Sequence, residues 1–339
     1  MSCVSPLPAL PVPLSAAELA QVELTHELKR RNYRFVTCTP ATHARVNARP
    51  ENAQASDLAG VFGWSRPFSP ELLDPALIRR MQAAGVLTVE QDHYRSTIRC
   101  SSVGDQLLLH SDYPTDEPDA VFFGPDSYRF VHAIEDFLRP GGIAAAGPPV
   151  WRAADIGCGA GPGALSIALA RPAAEVLALD INPRALSLSC INAAVADACN
   201  MHALHSDLLN DVAGDFDLIV ANPPYMADPQ CRAYRHGGGQ LGLGLTQAIV
   251  EAALPRLTAG GTLLLYSGVA MTAAGDPFRP WLQQQLDDSQ YSWHYQEIDP
   301  DVFGEELLEP GYREVERIAA VLLRVTRKIH PAADITARA

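Results

Sequence analysis

The chain has 339 residues, 47% hydrophobic and 19% charged, enough for buried cores and too few charges for an intrinsically disordered chain. The net charge of −13 is uneven: residues 1–130 hold 12 basic and 15 acidic side chains, the remainder 14 and 24, which argues against broad electrostatic capture of nucleic acid. No apolar run is long enough for a membrane span, and seven scattered cysteines with no Cys-x-x-Cys spacing point to reduced thiols in a cytoplasmic protein rather than a disulfide frame or a zinc site.

The first fifteen residues, "MSCVSPLPALPVPLS", are proline-rich and lack a basic region, so they read as a loose leader and not a signal peptide. Residues 16–32, "AAELAQVELTHELKRRN", predict an amphipathic helix with acids early and bases late. Lys29 to Arg49 contains six basic residues and no acid. A solvated helix end is the favoured reading, and a patch for an acidic partner or RNA is the sharper one. The next stretch predicts two or more short helices broken by Gly63, Pro67, Pro70 and Pro75. "HYRSTIRCSS" and "DQLLLHS" predict two strands joined near Gly104. Helices followed by one ribbon suggest a winged-helix-like α+β unit over residues 16–119, for substrate recognition or interaction.

From residue 120 to 330 short apolar strands alternate with helices, which implies an α/β fold with a mostly parallel sheet covered on both faces. The last two strands, "WHYQEID" and "RIAAVLLRV", have no helix between them and suit an antiparallel edge. Residues 331–339 read as a tail. His202 and His205 fall on opposite faces of a strand, so no metal is expected.

"AADIGCGAGPGALSIALA" ends a strand and opens a helix through Gly157, Gly159, Gly161 and Gly163. Such loops allow close ligand approach, and in open sheets ligands bind beyond the carboxyl ends of the strands. Asp155, just before the first glycine, would repel a pyrophosphate and suits an ammonium group, which favours the methionyl end of S-adenosylmethionine over NAD or FAD. Asp180 follows 25 residues later, at the end of "LALD", where it can accept bonds from ribose hydroxyls. Asp207, in "HSDLL", is placed to hold the adenine amine, with a turn or cap residue as the alternative. Fifteen residues on, the strand "FDLIVA" runs into Asn222, Pro223, Pro224 and Tyr225.

With this set, the chain resembles the class I S-adenosylmethionine-dependent methyltransferases over roughly residues 120–327. The "NPPY" segment resembles the branch that methylates planar nitrogens. The overall likeness is to the HemK-like release-factor glutamine methyltransferases and the "small domain" RNA methyltransferases. The resemblance implies a Rossmann-like seven-stranded methyltransferase sheet with an antiparallel edge. It also implies that "FFGPDSYRF" lies over the cofactor, with Phe122, Phe123 and Pro125 as its cover.

The chemistry suits such residues. An amide or aniline-type nitrogen is a poor nucleophile because its lone pair is delocalised. The Asn222 oxygen and the Pro223 carbonyl can accept its two N–H hydrogens and stabilise the charge that grows on it. Tyr225 can stack on the planar group. A protein glutamine amide is the favoured substrate, with an rRNA or tRNA base or a small metabolite as alternatives. The non-enzymatic alternative is a winged-helix-type module that keeps S-adenosylmethionine as a structural or sensing ligand. Arg232, Arg235 and His236 are candidates for the substrate mouth, though a solvated loop is the favoured reading. The acidic stretch "EIDPDVFGEELLEPGY" is expected on the same rim as "NPPY", where its acids could favour a cationic substrate.

Overall fold

The computed structural model describes residues 13–90, 92–142, 147–228, 232 and 234–329. The leader up to residue 12, the tail beyond residue 330, and Cys3 and Cys231 lie outside the described residues.

The N-terminal elements are α1 (Ala16–Arg30), α2 (Pro40–Asn47), α3 (Leu58–Phe62), α4 (Pro75–Ala83), and strands β1 (Leu87–Glu90), β2 (His93–Ser96), β3 (Ile98–Val103) and β4 (Gln106–Ser111). Ser15 and Glu18 form a reciprocal capping box that starts α1, and Arg30 and Arg31 at its other end pair with Glu27. The basic stretch is thus partly neutralised, Arg34 also pairing with Asp105. Where one ribbon is expected, the structure has two separate antiparallel hairpins, β1–β2 and β3–β4. "HYRSTIRCSS" breaks at Thr97, because the buried Ser96 hydroxyl bonds the backbone of Ile98 and diverts the chain.

The second part contains α5 (Pro125–Leu138), β5 (Arg152–Ile156), α6 (Pro162–Ala170), β6 (Glu175–Asp180), α7 (Pro183–Val195), β7 (Met201–His205), β8 (Phe216–Ala221), α8 (Gly244–Ala253), β9 (Leu257–Thr272), α9 (Phe278–Gln285), β10 (Tyr291–Asp299) and β11 (Val315–Arg327). Seven strands form one sheet in the order β10-β11-β9-β8-β5-β6-β7. Strands β5 to β9 pair in parallel, and β11 and β10 close the sheet antiparallel at its edge, as expected from the missing helix. The strand side chains alternate between two cores. Val176 and Ala178 face the core shared with α5 and α6, while Leu177 and Leu179 face that shared with α8 and α9.

The N-terminal elements join this body through a third core, in which Leu24, Leu28 and Leu109 pack with Leu188, Ile191 and Val195 of α7. Asn192 stitches the two parts with its buried amide. Its Nδ2 donates to the carbonyls of Leu109 (3.0 Å) and Ala160 (2.8 Å), and its Oδ1 accepts from the Leu109 N–H (2.8 Å). From β5 the chain winds out to β6 and β7, then returns to β8 on the other side. This reversal opens a crevice at the carboxyl ends of β5 and β8.

Candidate active site

That crevice is a cavity of about 240 Å³, lined from the sheet side by the ends of β5, β6 and β8 and from the N-terminal side by Pro40. Gly157 (φ 69°), Gly159 (φ 55°) and Gly161 (φ 80°) carry the chain from β5 into α6 in the left-handed region that favours glycine. Gly163 is required by proximity: a Cβ there would sit 2.7 Å from Asp155 Oδ2 and 2.5 Å from Phe130 Cε1.

Asp155 is 1% exposed. Its Oδ2 accepts the Ala164 N–H at 2.8 Å, and its Oδ1 is buried without a partner among the described residues. Burial pushes this carboxyl up to about 7, against the Ala164 N–H and with the help of nearby Asp180. A buried carboxylate oxygen with an unmet lone pair is a natural receptor for an ammonium group. Asp180 accepts from the N–H groups of Gly159 and Asn182, both at 2.9 Å, and it too is raised by burial. Asp207 is exposed at the mouth, its N–H held by Asp211.

Asn222, Pro223, Pro224 and Tyr225 line the same cavity as Asp155 and Asp180. Among the described residues the Asn222 side chain makes no hydrogen bond, so its amide is open to a ligand. Tyr225 is 7% exposed. Its hydroxyl donates to Asp126 Oδ2, and its ring lies against Gly268 of β9, where a Cβ would meet the ring. Behind it the glycines of "GGGQLG" close in. Cβ atoms at Gly237 and Gly242 would sit 2.7 Å from Tyr225 Cα and C respectively.

Three sequence expectations are corrected. Phe123 is fully buried and stacks on His110 at 4.9 Å, outside the cavity lining, whereas its neighbour Phe122, named with it, lines the cavity. Pro125 occupies the first turn of α5, where its fixed torsion starts the helix, and the next residues, Asp126 and Ser127, line the cavity. Gly161 turns inward toward Ser189 and Met201 as the residue preceding α6. The acidic rim is also less available than expected: Glu306 pairs with Arg235, and Asp299 with Arg129 at 2.6 Å. Of the basic candidates, Arg235 lines the cavity, together with Tyr234, while Arg232 pairs with Asp228 at 2.8 Å. Pro40, Asp126 and Phe303 also line the cavity; Asp126 and Phe303 lie in segments expected at the site but were not singled out there, and Pro40 comes from the N-terminal elements, where no site was expected.

Residues 148–275 match the family model of the methyltransferase small domain. The chain carries a class I S-adenosylmethionine-dependent methyltransferase domain. This methyltransferase domain is similar to release factor glutamine methyltransferases. It is 39% identical over 127 residues to that of Deinococcus radiodurans (34% of this chain, 44% of the relative), and 31% over 166 residues to that of Lactococcus lactis (45% and 57%). With the Escherichia coli protein it shares 36% over 129 residues (34% and 46%). The chain spans about half the length of these curated relatives. No described helix is long and apolar enough to cross a membrane.

Proposed function

We propose that the protein transfers a methyl group from S-adenosylmethionine to a planar nitrogen, and that its acceptor is a glutamine side-chain amide of a protein. One observation carries this reading: the unengaged Asn222 amide and the two prolines line the same cavity as the orphaned Asp155 oxygen. The names of the relatives and the acidic charge of the chain support a protein acceptor over a nucleic acid.

Asp155 Oδ1 is suited to hold the ammonium of the cofactor, Asp180 its ribose hydroxyls, and Asp207 the adenine amine, with Gly157 and Gly159 letting the backbone come close. When bound, S-adenosylmethionine supplies an electrophilic methyl group. The chain's task is to present the acceptor nitrogen. Asn222 Oδ1 and the Pro223 carbonyl accept its two N–H hydrogens, turning the lone pair toward the methyl. The same oxygens stabilise the positive charge that grows on nitrogen. One proton leaves to water after transfer, so no dedicated base is needed. Alignment of this kind can supply roughly 7–11 kcal/mol of the barrier reduction.

The test is incubation with methyl-labelled cofactor and a cell extract, followed by protease or ribonuclease and mass spectrometry of the product. Methylated glutamine in a protease-sensitive fraction is expected. Label released only by ribonuclease would transfer the reading to an RNA base.

A further inference from the structure

Asp126 is a buried carboxylate, 5% exposed, at the second position of α5. Nothing in the cofactor reading uses it, yet three donors converge on it. Tyr225 donates its hydroxyl to Oδ2. Tyr266 of β9 donates to Oδ1 at 2.6 Å, and Arg129 Nη1 reaches Oδ1 at 3.1 Å. Arg129 in turn donates to Asp299 Oδ2 at 2.6 Å, at the end of β10. One carboxyl group therefore ties the start of α5 to the segment after β8, to β9 and to the end of β10. The first turn of a helix favours an anion at this position.

The effect on Tyr225 is directional. Its ring is bounded on one side by Gly268 and its backbone by Gly237 and Gly242. A phenol has one torsion that swings the ring about its Cα–Cβ bond and one that turns its plane. Packing limits the first, and a fixed acceptor at the hydroxyl end limits where the ring's axis can point. Burial and the adjacent carboxylate hold the phenol well above its ordinary range, so it remains a donor.

We infer that Asp126 is a positioning residue, whose carboxylate clamps the Tyr225 hydroxyl and so sets the ring that walls the acceptor side of the cavity. The inference rests on the proposed N-methyl transfer for its kinetic consequence. The Tyr225 hydroxyl is not free to donate to the substrate; the ring face is its contribution. Asp126 itself touches no reacting atom in this account.

The experiment is a double-mutant cycle of Asp126→Asn and Tyr225→Phe, with Tyr266→Phe as a reference that removes another donor without freeing the Tyr225 hydroxyl. Cofactor affinity is measured by calorimetry, and transfer is followed with labelled cofactor and the protein fraction of a cell extract. Asp126→Asn and Tyr225→Phe should each lower kcat about tenfold or more, since a misplacement of about an ångström can cost on the order of a hundredfold. The cofactor Kd should stay unchanged, and the double variant should be no worse than the worse single one. Tyr266→Phe should lower thermal stability with a smaller loss of kcat. Additive losses, or losses in kcat that simply track thermal stability across all three variants, would overturn the clamp.

A substrate-free readout accompanies the cycle: 3-fluorotyrosine labelling with ¹⁹F NMR, Tyr225 being assigned by its loss in Tyr225→Phe. One sharp Tyr225 resonance that broadens or splits in Asp126→Asn supports the clamp, and an unchanged resonance refutes it. Asn222→Ala separates the two levels. If that variant transfers methyl groups at the wild-type rate, the functional reading fails. If it is slowed about a hundredfold or more while Asp126→Asn transfers at the wild-type rate, the clamp alone fails.

Discussion

Adding one methyl group at Gly268 should disable the acceptor wall while leaving the cofactor half intact. In Gly268→Ala the new Cβ would overlap the Tyr225 ring, with Cζ only 2.7 Å away and two other ring carbons nearer. Restoring a carbon–carbon contact near 3.5 Å for the nearest ring carbon requires the ring to retreat by more than an ångström. The ring has little room: Asp126 holds its hydroxyl, and Gly237 and Gly242 crowd its backbone. Strand β9 is equally constrained, since Gly268 pairs with Ala320 inside the sheet. Overpacking of this kind costs about 1–3 kcal/mol, which corresponds to a Tm lower by roughly 1.5 °C per kcal/mol in a chain of 339 residues, whose unfolding entropy scales with its length. Turnover should fall on the order of a hundredfold for such a displacement. Differential scanning calorimetry, calorimetric titration with S-adenosylmethionine and the labelled-extract assay would read the three quantities. A variant with wild-type Tm and wild-type turnover would show that the ring yields freely, and would refute the argument that Tyr225 is fixed from three sides.

Two further outcomes are expected. Because Asp155 titrates near 7 in the cofactor-free fold, above its ordinary value of 3.8, it contributes stability below the ordinary value that is lost as pH rises through about 7. Pairing with an ammonium needs the ionised form, so cofactor affinity should weaken below pH 7 toward a limit of about tenfold per pH unit. Asp155→Asn should remove that slope, and titration calorimetry from pH 5.5 to 8.5 (roughly one to two units either side of the midpoint) would expose a flat wild-type profile if the account is wrong. Asn192→Ala strips three buried hydrogen bonds, two across the seam between the β3–β4 hairpin and α7 and one to the glycine loop at Ala160, and should cost about 3 kcal/mol. Chemical denaturation measures it, and a loss below roughly 0.5 kcal/mol would mean water replaces the amide.

What could be read in advance was whatever is encoded locally. The alternation of strand and helix after residue 150, the unhelical connection that makes β10 and β11 antiparallel, and the positive-φ glycines after β5 all have signals within a few residues of where they act. Helix α2 also had one: Thr39 caps it and Pro40 begins it, a start signal obscured by the basic run around it. Asp126 and Asn192 had none. Their partners lie 99 and 140 residues away for the tyrosines and 83 for Leu109, so only the folded chain brings them together. Phe123 was misassigned for a related reason. Phe122 and Phe123 are adjacent and chemically alike, both were expected at the cofactor, and the sequence does not say which faces the cavity and which the core. The N-terminal hairpins were blurred because Ser96 diverts the chain by a side-chain bond that propensity does not register.

In the proposed reaction the Asn222 amide presents the acceptor nitrogen and does little for the cofactor. The most direct measurement compares Asn222→Ala with the wild type in paired assays of S-adenosylmethionine affinity and methyl transfer to extract protein. The Kd should stay within about threefold, less than about 0.7 kcal/mol, and turnover should fall by about a hundredfold or more, the loss typical for a transition-state hydrogen-bond partner. Equal turnover in the two proteins, or a loss confined to cofactor binding, would contradict it.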